Sequence, residues 1–199
     1  MNFIKGRELL KRAADSGLFR LFIGFESVHN QGLKQTGARV KLGLSHGEDL
    51  SSDKIQNAIE IIQDFGLEIF GFVVIGFDSD TPDTFQRTLD FFKQTKIIPM
   101  VTILSPTPDS PIYRKLASEG RLLPNLSWDQ ILSEVFIFKH PTMSGKEMLK
   151  KRDEILNELY GLIPIMKRVM SAYRNRRSPT VFFSSLFSQL GIRKGIRRA

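Results

Sequence analysis

The sequence contains no cysteine. Disulfides, zinc–thiolate centres, cysteine-ligated iron–sulfur clusters and Cys/His catalytic pairs are therefore excluded within these 199 residues. Histidine is nearly as scarce: His29, His46 and His140 are scattered, without metal-ligand spacing. No apolar run reaches the roughly 20 residues of a spanning helix, and Met1-Asn-Phe-Ile-Lys5 is no secretory signal. The resulting expectation is a soluble cytoplasmic chain. Acidic residues are missing from one region only, since none follows Glu158. Lys167, Arg168, Arg174, Arg176, Arg177, Arg193, Lys194, Arg197 and Arg198 lie beyond it. The whole chain carries +8, so residues 1–158 sum to −1 and the basicity belongs to a C-terminal extension.

What is present is a repeated helix–strand unit. Leu67 to Ile75 is nearly all apolar without alternation, the habit of a parallel strand covered on both faces. Gly76 breaks it, Asp78-Ser-Asp80 forms a polar tip, Thr81 suits an N-cap and Pro82 the first helical position. The same pattern occurs at Leu18–Phe25, which ends in Glu26-Ser27 and follows a helix stopped by Gly17. It recurs at Ile97–Leu104, with Pro99 near the strand start. Ser51/Ser52 open a helix with Ile55, Ala58, Ile59, Ile62 and Phe65 on one stripe, and Gly66 suits its end. The Thr81 helix aligns Phe85, Leu89 and Phe92. Three such alternations predict an α/β fold with a parallel sheet, whose ligands sit at the carboxyl ends of the strands.

The rest reads as helix. Ser144 suits an N-cap with Glu147 three residues on, and Lys146 to Met170 is amphipathic with a break expected at Pro164. Trp128 is expected to anchor this extension, and His140-Pro141 reads as a helix-entry turn. Lys34, Arg39 and Lys41 with Gly37, Gly43 and Gly47 form a basic loop that is solvated or touches an anionic substrate. In the tail, Phe182, Phe183, Leu186, Phe187 and Leu190 share a helical stripe between basic flanks. Two readings stay open: a terminal helix packed on its own domain with solvated arginines, or an interfacial membrane or protein-docking helix.

Ile23-Gly-Phe-Glu-Ser27, Gly76-Phe-Asp-Ser-Asp-Thr-Pro-Asp-Thr-Phe85 and Leu104-Ser-Pro-Thr-Pro-Asp-Ser-Pro-Ile-Tyr113 resemble successive strand-end motifs of radical SAM enzymes. More narrowly, they resemble the class with an N-terminal cobalamin-binding domain, which includes hopanoid methylases and related lipid or tetrapyrrole enzymes. Arg121-Leu-Leu123, Trp128-Asp129 and Pro141-Thr-Met-Ser144 resemble the helical extension of that class. The resemblance covers roughly residues 1–165 and implies the second half of a (β/α) barrel over residues 1–120. A helical extension over 121–173 and a basic amphipathic tail over 174–199 would follow.

In that family a [4Fe–4S] cluster held by C-x-x-x-C-x-x-C supplies the electron that cleaves S-adenosylmethionine (SAM). The motif has no counterpart here. A truncated, split or mis-started gene product is the implied origin, with the missing N-terminal half or a split-gene partner as the implied partner. SAM would be the cofactor; the cluster and cobalamin belong to the parent family and would not be held by this chain. The resemblance places SAM contacts on Gly24, Glu26 and Ser27, on Gly76 and Asp78, and on Ser105 and Thr107. Against these stand plainer roles: Glu26 as a turn cap, Ser105-Pro-Thr-Pro108 as a rigid turn. A flat backbone at Gly76 would admit adenine.

Two other readings remain. One is a non-enzymatic docking or scaffold remnant; the other is an unrelated, self-contained α/β enzyme using Glu26, Asp78 and Asp80. The tail adds an anionic membrane surface as an expected partner, peripheral at the inner face, through residues 174–199. Nucleic acid is disfavoured because the aromatics form one apolar stripe rather than alternating with arginines.

Overall fold

The computed structural model describes residues 3–35, 42, 44, 49–51, 53–124 and 136–197, with side chains from residue 6 onward except at 35. The three apolar runs become β1 (Arg20–Glu26), β2 (Glu68–Ile75) and β3 (Ile98–Ile103). They pair in parallel in the order β1-β2-β3. Helices intervene: α1 (Phe3–Asp15), α2 (Asn30–Gln35), α3 (Asp53–Asp64), α4 (Pro82–Thr95) and α5 (Pro111–Ser118). The architecture is thus α/β, a three-stranded portion of a β/α arrangement. Left-handed glycines at Gly17 and Gly66 lead the chain from α1 and α3 into the next strands.

The faces of the sheet differ. On one, Ile69, Val73 and Ile75 are buried, and the Phe25 ring meets Phe91 of α4 edge-on at 5.1 Å. Side chains crowd β2 so closely there that a Cβ on Gly71 would lie 2.5 Å from Ile97 Cδ1. On the other face Phe22 stacks on Phe70 at 5.1 Å and stays 68% exposed, so this side of β1 is largely uncovered.

Three helices complete the chain: α6 (Gly145–Leu159), α7 (Leu162–Arg176) and α8 (Pro179–Ile196). The Ser144 Oγ accepts the Glu147 N–H, capping α6 as expected. The expected break at Pro164 falls instead at Tyr160 and Gly161. Proline in a first helical turn removes only a donor that has no intrahelical acceptor, so Pro164 starts α7 rather than ending a longer helix. Tyr160 turns inward and its hydroxyl donates to the Pro99 carbonyl, backing β3. The two edges of the sheet are therefore unlike: α6 and Tyr160 cover β3, whereas no described strand pairs with the outer edge of β1. β3, like β1, is an outer strand of the described sheet, although the side chain that leads into it, Ile97, is 1% exposed. Trp128 and most of the basic loop at 36–48 lie outside the described residues.

Helix α8 packs antiparallel to α7, but not on the stripe anticipated. Its most buried line is Val181, Ser185 and Gln189; Phe182, Leu186 and Leu190 flank it, and Phe183 and Phe187 point outward. Small and polar residues face inward because they meet charge. Ser185 Oγ donates to Glu68, which also accepts from Arg20 Nη2 at 2.8 Å. Arg20 donates to Ser188, and buried Arg168 donates to Gln189 and to the Leu159 carbonyl. Arg176 donates to the Ala14 and Leu18 carbonyls. A hydrogen-bonded polar layer thus closes the amino end of the sheet. Among the described residues no helix is long and apolar enough to cross a membrane.

Candidate functional site

Parallel pairing carries all three strand-end segments to one edge, the carboxyl end. At the tip of β1 the pairing shifts register between Gly24 and Glu26, so Gly24 opposes Phe72 and Glu26 opposes Val73. Glu26 then adopts φ 68°, a left-handed conformation that costs an L-residue about 1–2 kcal/mol. A non-glycine held there by its surroundings marks a place where geometry outranks local comfort. Ser27 is fully buried; its Oγ accepts the His29 N–H at 3.1 Å, and Gly32 of α2 sits so close that a Cβ would lie 2.3 Å from it. Ser27 therefore shapes the turn into α2, while half-buried Glu26 occupies the tip.

The tip of β2 is organised by a residue outside the SAM set. Asp80 is 1% exposed, and its Oδ2 accepts the N–H groups of Gly76 at 2.7 Å and Phe77 at 3.0 Å. Its Oδ1 and the Ser79 Oγ are buried without a hydrogen-bond partner among the described residues. Burial dominates the carboxyl and pushes its pKa up to about 6, against the two backbone donors and His140. His140 clamps the same turn: Nε2 lies 2.8 Å from the Phe77 carbonyl, and Nδ1 faces the N–H groups of Thr142 and Met143. The imidazole thus forms the helix-entry turn expected of it and also locks the loop. Gly76 has φ 111°, and a Cβ on it would lie 2.8 Å from the Phe136 ring. Its glycine is accounted for by the turn and by Phe136, without an approaching ligand.

Asp78 is held elsewhere. Arg121 grips it through two nitrogens, Nη2–Oδ1 at 2.6 Å and Nη1–Oδ2 at 3.0 Å, and Lys115 adds a contact at 3.2 Å. The Arg121 hydrogen bonds hold the carboxyl below its usual range. This pair ties the β2 tip to the chain beyond α5. Beside it lies a cavity of about 260 Å³ lined by Phe77, Leu104, Ile112, Lys115, Leu116 and Phe138. At the tip of β3, Ser105 and Thr107 are exposed around buried Pro106, and Asp109 takes a left-handed conformation before Ser110 caps α5.

The structure thus gathers Gly24, Glu26, Gly76, Ser105 and Thr107 along one edge, together with Ser27 and Asp78, whose side chains bond to the His29 N–H and to Arg121. Sequence reasoning missed two features. His29 Nε2 lies 2.8 Å from Thr84 Oγ1, joining the tips of β1 and β2; burial lowers the His29 pKa, with Arg87 adding to it. In the sequence Asp80 reads only as part of the polar tip or, with Glu26 and Asp78, as a residue of an unrelated α/β enzyme. Its spacing from Gly76, four residues on, is that of an acceptor folding back on a turn, a signal available in the sequence.

SAM and an iron–sulfur cluster fit these residues unequally. Glu26, at a strained strand tip, has a carboxylate suited to ribose hydroxyls or an amino acid moiety, and the exposed Ser105–Thr107 turn has backbone groups suited to an adenine edge. A cluster finds no support: there is no cysteine, and no three His, Asp or Glu side chains gather as metal ligands among the described residues.

The sequence matches no family model. It is 27% identical over 173 residues to the bacteriochlorophyllide d C-12(1)-methyltransferase of Chlorobaculum tepidum, covering 85% of this chain and 35% of that protein. It is also 27% identical over 125 residues to the hopanoid C-2 methylase of Rhodopseudomonas palustris, covering 62% of this chain and 22% of that protein. The chain therefore spans about a third or less of these relatives, and its likeness is to methyl-transferring proteins.

Proposed function

We propose that this chain is the second half of a radical SAM (β/α) barrel with its C-terminal extension, from a methyltransferase of the cobalamin-associated class. Residues 1–120 supply the barrel portion, 121–173 the helical extension and 174–199 the basic end. One observation carries the reading: three motifs spread over roughly ninety residues fall at the carboxyl tips of three adjacent parallel strands. Similarity to two methyl-transferring proteins along most of the chain supports it. When bound, SAM supplies the methyl group or the radical precursor; Glu26 and the Ser105–Thr107 turn position it. With no thiolate here, the cluster and the remaining barrel strands come from polypeptide outside these 199 residues, and the open edge of β1 is where those strands join. The substrate is a lipid-like or tetrapyrrole-like molecule, and this chain alone performs no radical chemistry.

Reconstitution tests the reading. Iron and sulfide added to the isolated chain should give no cluster absorbance, and SAM should bind weakly by calorimetry. Restoring a cluster-binding half should tighten SAM binding, and Glu26→Ala should abolish the gain. Tight SAM binding by the isolated chain, or a gain indifferent to Glu26→Ala, overturns the assignment.

A further inference from the structure

The α7–α8 hairpin shows water an apolar surface that its own fold leaves uncovered. On α7, Ile163, Met166, Met170 and Tyr173 follow one another at helical spacing, and all are exposed, Ile163 by 71%. The stripe continues onto α8 through aromatic contacts: Tyr173–Phe182 at 5.7 Å, Phe182–Phe183 at 5.3 Å and Phe183–Phe187 at 6.1 Å. Phe187 is 66% exposed. Sidechains of this kind in a continuous row mark an interaction surface rather than scattered surface hydrophobes.

Charge identifies the occupant. Lys167, Arg174, Arg177 and Lys194 are exposed and have no ion pair among the described residues. Lys96, Lys167, Arg174 and Arg177 ring an open groove of about 720 Å³ floored by Met170 and Tyr173. No carboxylate follows Glu158 to neutralise them. A second copy seated on this face would bring like charges together, which disfavours self-association. The rings form one contiguous apolar row, two contacts edge-on and one stacked, rather than alternating with the cations as successive base platforms would, which disfavours nucleic acid. Apolar rows beside unpaired cations match an interface of acyl chains beneath anionic headgroups.

We propose that the outer face of the α7–α8 hairpin docks on an anionic lipid surface. Half of the patch comes from α7, so the contact does not reside in residues 174–199 alone. The hairpin closes the amino end of the sheet, so the candidate site at the carboxyl end faces away from the lipid. Truncating the tail would expose the partners of Val181, Ser185 and Gln189, so point variants of the full chain are the proper probes.

Vesicle flotation compares pure phosphatidylcholine with phosphatidylcholine doped with phosphatidylglycerol. The native chain should float with the doped vesicles at low salt and far less with the neutral ones. Phe183→Ser/Phe187→Ser should weaken partitioning by roughly tenfold or more. Lys167→Gln/Arg174→Gln should weaken it roughly 30-fold, an effect that shrinks as salt rises. Both pairs are exposed, so urea midpoints should match the native chain. The proposal is overturned if the native chain ignores anionic vesicles, or if neither double variant alters binding. It is equally overturned if the phenylalanine variant abolishes self-association by a chain that binds no lipid, or if polyuridylate binds more tightly than vesicles and is indifferent to that variant.

Discussion

The two ends of the sheet treat buried polar groups in opposite ways. At the amino end, Glu68, Arg20, Ser185, Gln189 and Arg168 satisfy one another within one layer. Burial pulls the Arg168 guanidinium down to about 10, yet it stacks on Tyr160 and keeps two acceptors. At the carboxyl end, Glu26 is held in a left-handed conformation, and Asp80 Oδ1 and Ser79 Oγ are buried without partners among the described residues. A cavity lies beside the Asp78–Arg121 pair. The difference is one of saturation: hydrogen bonding is complete within the amino-end layer, while unmet hydrogen bonding lies at the carboxyl end, where the proposed site is.

Breaking the amino end should have the largest effect. Glu68→Ala strands Arg20 and Ser185 in a nearly dry layer and should lower unfolding free energy by roughly 4 kcal/mol. Urea denaturation measures it; a loss under about 1 kcal/mol would mean water already reaches this layer.

The second test sharpens the contrast through pH. The folded pKa of Asp80 lies above its ordinary value, so its protonated form favours the fold. That contribution is complete near pH 4 and is lost as pH rises to about 6. The amplitude is about 3 kcal/mol. Asp80→Asn retains an acceptor for Gly76 and Phe77 and should remove this dependence, gaining stability at neutral pH. Melting curves from pH 4 to pH 7 that superimpose for the two proteins would refute the assignment. Asp78 has the opposite sign, since Arg121 favours its ionised form and that stabilisation fades on acidification.

Much of this was legible beforehand. Unalternating apolar runs give the parallel strands, and Gly17, Gly66 and Thr81-Pro82 mark their junctions with helices. The polar layer was not legible, because it joins Arg20 and Glu68 to Ser185 and Gln189 more than a hundred residues away. Apolar periodicity therefore finds the aromatic line of α8 but not its buried line through Ser185 and Gln189. At the site, the strand tips were legible, but individual roles were not. Asp78 and Ser27 look like ligands in a motif, and only their partners, Arg121 and the His29 N–H, show them engaged within the fold.

Smaller effects should follow at the carboxyl end. Arg121→Met frees Asp78, which water partly reaches, and should cost about 1.5 kcal/mol while loosening the β2 tip. Glu26→Gly should move the other way, raising stability by about 1 kcal/mol as left-handed strain is relieved, while weakening SAM binding. A destabilised Glu26→Gly chain would mean that the tip is not strained.

The most direct measurement is a map of amide chemical shifts during titration with SAM. The account predicts weak binding with changes confined to the carboxyl end, at Glu26, Gly76, Ser105 and Thr107, and none at Glu68, Ser185 or Gln189. Changes centred on the amino end, or none anywhere at the highest SAM concentration reached, would contradict it.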